Sequence, residues 1–236
     1  MKELYDNAII YRSIVDDAEV DIVHKRYYAS IIDCMLDNIK PKQHEQQYFK
    51  ATSHVTMTRA EFENELKRNR NVFIDVTFTE NIRGFNGYTT TAIIFKDCNF
   101  HDLTDAFWFQ TNLEHLTFQN CTTTKNDLSY VCAYCTNLQS LTFDIDLLNV
   151  DNMSHAFEGC CNLQDLDIHN SFINIKNATC MFAGCRYLKT AVIQDAENIK
   201  YADMMFRSCS KLETVEMTLT ASSRTDIFWK SRGRII

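Results

Sequence analysis

Ala156-Phe-Glu-Gly-Cys-Cys-Asn-Leu163-Gln-Asp-Leu166-Asp-Ile168 decides the fold, because the chain repeats this stretch in four further copies. They begin Ala106-Phe-Trp-Phe-Gln-Thr-Asn-Leu113, Val131-Cys-Ala-Tyr-Cys-Thr-Asn-Leu138, Met181-Phe-Ala-Gly-Cys-Arg-Tyr-Leu188 and Met205-Phe-Arg-Ser-Cys-Ser-Lys-Leu212. The slot of Cys160 falls at Gln110, Cys135, Cys160, Cys185 and Cys209, so successive copies are 25, 25, 25 and 24 residues apart. A fixed period of this size marks a solenoid: one unit cannot bury its apolar face alone, and a stack of units can.

Each copy ends in an alternating stretch, as in Leu113-Glu-His-Leu116-Thr-Phe118, Leu138-Gln-Ser-Leu141-Thr-Phe143 and Leu188-Lys-Thr-Ala191-Val-Ile193. Period-two alternation reads as a short, half-buried strand. One strand per unit predicts a parallel ladder with coils about 4.8 Å apart and equivalent side chains in columns. Cys135, Cys160, Cys185 and Cys209 form one such structural column. The segment ahead of each cysteine, clearest in Asp151-Asn-Met-Ser-His-Ala-Phe157, predicts one or two turns of helix or 3₁₀ helix on the opposite side. Gly159 and Gly184 precede the cysteine where a positive φ is expected, but Phe109, Tyr134 and Ser208 share that slot, so the requirement reads as less than absolute.

The consensus Met/Ala-Phe-x-x-Cys-x-x-Leu-x-x-Leu-x-Phe/Ile, over about residues 106–217 and strongest from Asn149 to Met217, resembles the BspA-like leucine-rich repeats. The resemblance implies a curved solenoid that binds proteins or cell surfaces, often on secreted bacterial proteins. Repeats of this kind also occur in proteins of phages and of protists. The expected fold is α/β: a leucine-rich-repeat solenoid with a parallel strand ladder, capped by an N-terminal helical region.

Upstream, Thr91-Ala-Ile-Ile-Phe95 fits the strand slot of an earlier unit, and Cys98 and Cys121 each follow a strand phenylalanine, Phe95 or Phe118, by three residues. Asn71-Val-Phe-Ile-Asp-Val-Thr-Phe78 is β-rich and marks the first coil, so the solenoid is expected to span 71–236. Residues 1–70 read as helical, with Val20, Val23, Tyr27, Ile31, Cys34 and Met35 at helical spacing until Pro41, and a capping box at Thr58-Arg-Ala-Glu61 ahead of Phe62 and Leu66. Solenoids need end units that cover the core, which makes this region a cap, with partner docking as its other use. Ile227-Phe228-Trp229 could close the last coil. The basic tail Lys230, Arg232 and Arg234 before Ile235-Ile236 reads as a frayed end or as an anchor into a partner.

Chemistry is sparse. Cys132-x-x-Cys135, with Cys160, Cys161 or Cys180, could be imagined as a redox or zinc site, but the repeat already accounts for these positions. The seven histidines show no zincin spacing, and five glycines supply no phosphate loop or nucleophile elbow. We therefore expect no catalytic residue, no metal, no cofactor and no small-molecule substrate. With 24 Lys+Arg against 31 Asp+Glu, a net charge of −7 argues against nucleic acid as a partner. Ala8-Ile9-Ile10 is too short for an export core and no later run would span a bilayer, so no membrane role is expected. That places the chain in a cytoplasm, with incorporation into a virion as the alternative, and its cysteines reduced.

What remains is the outward, concave face of the ladder. Alternation assigns to it His115, Thr117 and Gln119; Ser140, Thr142 and Asp144; Asp165, Asp167 and His169; Thr190, Val192 and Gln194; and Thr214, Glu216 and Thr218. This face is polar and mildly acidic, either a rigid partner-binding surface or merely solvated. The expected function is a non-enzymatic protein-interaction scaffold, as a structural or adaptor component of a large assembly such as a phage particle. An intracellular effector or inhibitor gripping one host protein is the alternative, and a cell-surface adhesin is the third.

Overall fold

The computed structural model describes residues 55–85, 89–168, 170–217 and the backbone of 234–235. The helical pattern from Val20 to Met35, Pro41, the tail stretch Ile227 to Trp229 with Lys230 and Arg232, His169 and Thr218 all lie outside the described residues.

Among the described residues the strands are β1 (Val55–Met57), β2 (Val72–Ile74), β3 (Val76–Phe78), β4 (Ala92–Lys96), β5 (Asn99–Phe100), β6 (His115–Thr123), β7 (Ser140–Asp146), β8 (Asp165–Asp167), β9 (Thr190–Ile193), β10 (Thr214–Met217) and β11 (Arg234–Ile235), with one α-helix, α1 (Arg59–Lys67), and a short 3₁₀ helix at Ala196–Asn198. Every strand pair is parallel. β2, β4, β6, β7 and β8 form one ladder in which Ile93, Leu116, Leu141 and Leu166 are in register, as are Phe73, Phe95, Phe118 and Phe143. β9, β10 and β11 carry the equivalent positions in a separate sheet. The period predicts this register, since a slip of one residue would turn each apolar set to water.

A second ladder, unforeseen in the sequence, runs through β1, β3, β5 and the ends of β6 and β7. The chain turns into it at Asp75, Asp97 and Asn120, all in the left-handed region at φ 54°, 52° and 50°. Asp and Asn tolerate that conformation better than other side-chain-bearing residues. Here their side chains also tie coil to coil, the Asn120 amide donating to Asp97 at 2.6 Å and the Asn120 backbone N–H to Asp144 at 2.7 Å. Strand pairing is therefore already present at Val55, upstream of the expected start at residue 71.

The third side corrects the expectation of helical turns and, with it, the α/β class of the repeats: among the described residues, the side opposite the ladder is made of stacked turns and the repeats form a β-solenoid. Alternate N–H groups serve different coils. Ala106, Trp108 and Gln110 donate within their own coil to Leu103, Asp105 and Phe107, while Asp105, Phe107 and Phe109 donate to Ser129, Val131 and Ala133 of the next. The same alternation continues to Gly184, which donates to Arg207 at 2.7 Å. Two residues per coil take positive φ, four apart: Asp105 and Phe109, Tyr130 and Tyr134, His155 and Gly159, Cys180 and Gly184, Met204 and Ser208. A helix is about 10 Å across and would force coils apart on that side, whereas turns stack at the strand spacing. The slot before the cysteine is thus left-handed in every coil, whatever residue fills it.

Stacked rings lie at similar spacings on the two sides. Phe95 and Phe118 stack at 5.3 Å on the strand side, and Phe157–Phe182 and Phe182–Phe206 stack at 5.4 and 5.3 Å on the turn side. Between the sides lies one continuous apolar core in which twelve phenylalanines are fully buried. At the N-terminal end of the described residues α1 packs against this core. Thr58 caps the helix and Glu61 returns the bond to the Thr58 N–H at 2.7 Å, the box read from the sequence. This aims Phe62 into the core, 5.0 Å from Phe73 and 5.2 Å from Phe85.

Candidate functional site: two outward surfaces

Alternation along the strands places the expected binding residues on one face, and the register aligns them across coils: His115 beside Ser140 and Asp165, Thr117 beside Thr142 and Asp167, Thr190 beside Thr214, and Val192 beside Glu216. Gln119 follows within β6, beside Lys96, and Gln194 comes just after β9. His115 Nδ1 lies 2.7 Å from the Ser140 hydroxyl, so this pair is already engaged. For Asp165 and Asp167 the backbone is described and the side chains are not.

The face is not uniformly open. Thr117 is only 6% exposed, flanked by the buried Ile94, although alternation puts it outward. Thr190, Val192, Gln194 and Glu216 are exposed, which leaves the β9–β10 portion as the accessible surface. Side chains fixed on a hydrogen-bonded ladder keep their mutual spacing before any partner arrives, so little ordering remains to oppose binding.

The cysteine column is structural. Each thiol donates to a carbonyl of the preceding coil: Cys135 to Phe107 at 2.9 Å, Cys160 to Cys132 at 3.1 Å, Cys185 to Phe157 at 3.2 Å and Cys209 to Phe182 at 3.0 Å. Those carbonyls also accept the N–H three residues on in their own coil. Cysteine suits the slot because it is small, apolar and still a donor. Burial pushes the thiols of Cys132, Cys185 and Cys209 up, the last to about 12, and a shared hydrogen bond with Cys135, reinforced by burial, raises Cys160. A protonated thiol is neither nucleophile nor ready metal ligand. All nine described cysteines are unpaired, and among the described residues no group of three or more His, Cys, Asp or Glu side chains is arranged to hold a metal. No helix among them is long and apolar enough to cross a membrane.

The turn side carries a surface that sequence reasoning missed. Trp108 and Phe109 are 46% and 48% exposed and meet edge to face at 4.9 Å. Phe109 stacks on Tyr134 at 5.2 Å, and Tyr130 stacks on His155 at 4.6 Å with the rings 2° from parallel. Beside them Glu158 ties coils together: His155 Nδ1 lies 2.7 Å from one of its carboxylate oxygens, Arg207 from two coils further on donates to the other at 3.4 Å, and Tyr134 donates to it as well. Burial, and then the Glu158 carboxylate, hold the Tyr134 phenol above its ordinary range. The signal was present in the sequence: aromatic residues sit at Phe109 and Tyr134 in the slot that later coils fill with Gly159 and Gly184. A side chain in the left-handed region costs about 1 kcal/mol relative to glycine.

No curated protein and no solved structure matches the chain. The family model for the BspA type leucine rich repeat region matches residues 103–232 in six copies, and leucine-rich repeats of this type suggest a protein-interaction scaffold. The 25-residue coils, the in-register apolar columns and this match over more than half of the sequence lead to one assignment: the chain belongs to the BspA type leucine rich repeat family.

Proposed function

We propose that the chain is a non-enzymatic scaffold that binds a protein partner through the open half of its strand face. The observation that carries this reading is the exposed row of Thr190, Val192, Gln194 and Glu216 on a parallel ladder, an apolar residue framed by polar ones in fixed register. Interfaces that work share that anatomy, with an apolar centre and a polar rim. The engagement of the column cysteines in structural bonds supports a role without thiol chemistry.

The test is affinity purification of the tagged full-length protein from its native source with mass spectrometry, wild type beside Thr190→Lys/Val192→Lys/Glu216→Lys. A partner captured by wild type and lost from the triple variant is the expected result. Retention of the same partner by a folded triple variant would refute the strand face. It would favour docking by the terminal regions, as for a structural adaptor within a larger assembly such as a phage particle.

A further inference from the structure

We infer that the aromatic surface on the turn side is a docking site for a basic protein segment, whose arginine side chains stack on Trp108 and Phe109. It lies on the side of the solenoid opposite the strand face, shares no residue with it and stands or falls separately.

Two independent observations carry the inference. The first is conformational. Phe109 and Tyr134 both hold large rings at φ 61°, where Gly159 and Gly184 fill the equivalent slot of later coils at no steric penalty, and Tyr130 holds a third at φ 56° in the slot of His155. Strain of this kind persists where the side chain is needed, and here the need is not the core, because Phe109 and its neighbour Trp108 are nearly half exposed. Trp108 and Phe109, at 82° to one another, present two ring surfaces at a corner.

The second observation is charge. Residues 103–160 hold seven acidic side chains (Asp105, Glu114, Asp127, Asp144, Asp146, Asp151, Glu158) and one basic, Lys125, a net of 1 − 7 = −6. Residues 161–236 hold ten basic and eight acidic, a net of +2. Arg83, Lys176 and Arg207 reach into this segment from outside it to pair with Asp105, Asp151 and Glu158, which leaves a net of −6 + 3 = −3 on the coils that carry the aromatic surface. Asp105 and Glu158 are internally paired, with Arg83 and with His155 and Arg207, so the selectivity comes from the ring faces within a negative field rather than from a free carboxylate. Ring faces are themselves electron-rich, and a planar, weakly hydrated guanidinium stacks on them better than an ammonium does. An anionic partner is repelled, and a neutral glycan gains nothing from the field.

The test measures binding of the full-length protein to a fluorescein-labelled peptide of alternating arginine and serine by anisotropy at low and physiological salt. The lysine counterpart of that peptide and a labelled gluco-oligosaccharide serve as comparators. We expect the arginine peptide to bind more tightly than the lysine one. Trp108→Ala/Phe109→Gly should weaken it roughly tenfold, while Asp195→Asn/Glu197→Gln, which removes two exposed charges outside residues 103–160, weakens it by less than about threefold. Melting curves check the fold, and if the double variant melts early, Phe109→Gly alone carries the comparison, because glycine relieves its backbone. Equal loss in the two double variants, absence of binding, or Trp108-dependent binding of the oligosaccharide in place of the peptide would each overturn the proposal.

Discussion

A Cβ atom placed on Gly159 would lie 2.6 Å from Cδ1 of Tyr134, whereas one on Gly184 would meet nothing closer than the Gly159 Cα at 3.6 Å. Both glycines occupy the left-handed slot, at φ 73° and 79°. Gly184→Ala should therefore lose only the conformational term, about 1 kcal/mol, and Gly159→Ala about 2–3 kcal/mol because the Tyr134 ring must also move off Glu158. Denaturant melts give both values, and Tyr134→Ala in the Gly159→Ala background should recover the difference. Ser208→Gly, in the same slot at φ 61°, should leave stability unchanged or raise it by up to about 1 kcal/mol. A loss of that size would mean that the slot is not left-handed.

Phe62 is fully buried, and its ring contacts Phe73, Phe78, Phe85 and Phe95. Phe62→Ala should cost about 3–5 kcal/mol locally. Because each coil touches only its neighbours, the loss should stay near that end. Hydrogen exchange should quicken across β1 to β3 and remain slow from residue 150 to 215. Uniform quickening would show that the stack unfolds as one unit.

Burial raises the thiols of Cys132, Cys185 and Cys209, and a hydrogen bond shared with Cys135, reinforced by burial, raises Cys160, so these thiolate forms are suppressed in the fold. Iodoacetamide at mildly alkaline pH should label Cys161, the one described cysteine that is not buried, well before Cys132, Cys160, Cys185 or Cys209, and peptide mapping reads the order. The linked stability has a definite sign. A raised thiol pKa favours the fold fully below the ordinary value of about 8.5 and the benefit fades as pH climbs through the folded value. Stability should fall on the alkaline side, and a melting temperature flat across that range would contradict the burial.

At the helix start, bonds from the Thr58 backbone and then its side chain lower the Glu61 carboxyl. A lowered acid stabilises the fold above the ordinary carboxylate range, and that contribution disappears as pH falls through the folded value. Thr58→Ala should cost about 1 kcal/mol at neutral pH. The gap from wild type should narrow in acid, and NMR titration should show Glu61 returning toward the ordinary glutamate range.

The 25-residue period made the stack, the strand slot and the cysteine column legible, because columns demand the same residue type at the same step. The capping box at Thr58 was legible for a similar reason, two polar side chains at a fixed offset with one purpose. The second ladder was hidden: three-residue strands such as Val76–Phe78 carry too few alternations to stand out, and the shared offset of Cys98 and Cys121 was its only trace. The turn side misled, since Phe-x-x-Cys spacing mimics a helical repeat and Phe109 and Tyr134 disguise a glycine slot. Thr117 was placed on the correct side of the strand yet is covered, because alternation fixes direction and not what lies beyond.

Carboxyl footprinting of the full-length protein, free and in complex with the partner it captures, tests the central claim most directly. Glu216 on the strand face and Glu197 off it are both exposed in the free protein. Labelling of Glu216 should drop several-fold in the complex while Glu197 keeps its rate. Equal labelling of Glu216 in both states would contradict the account and place the partner on another surface.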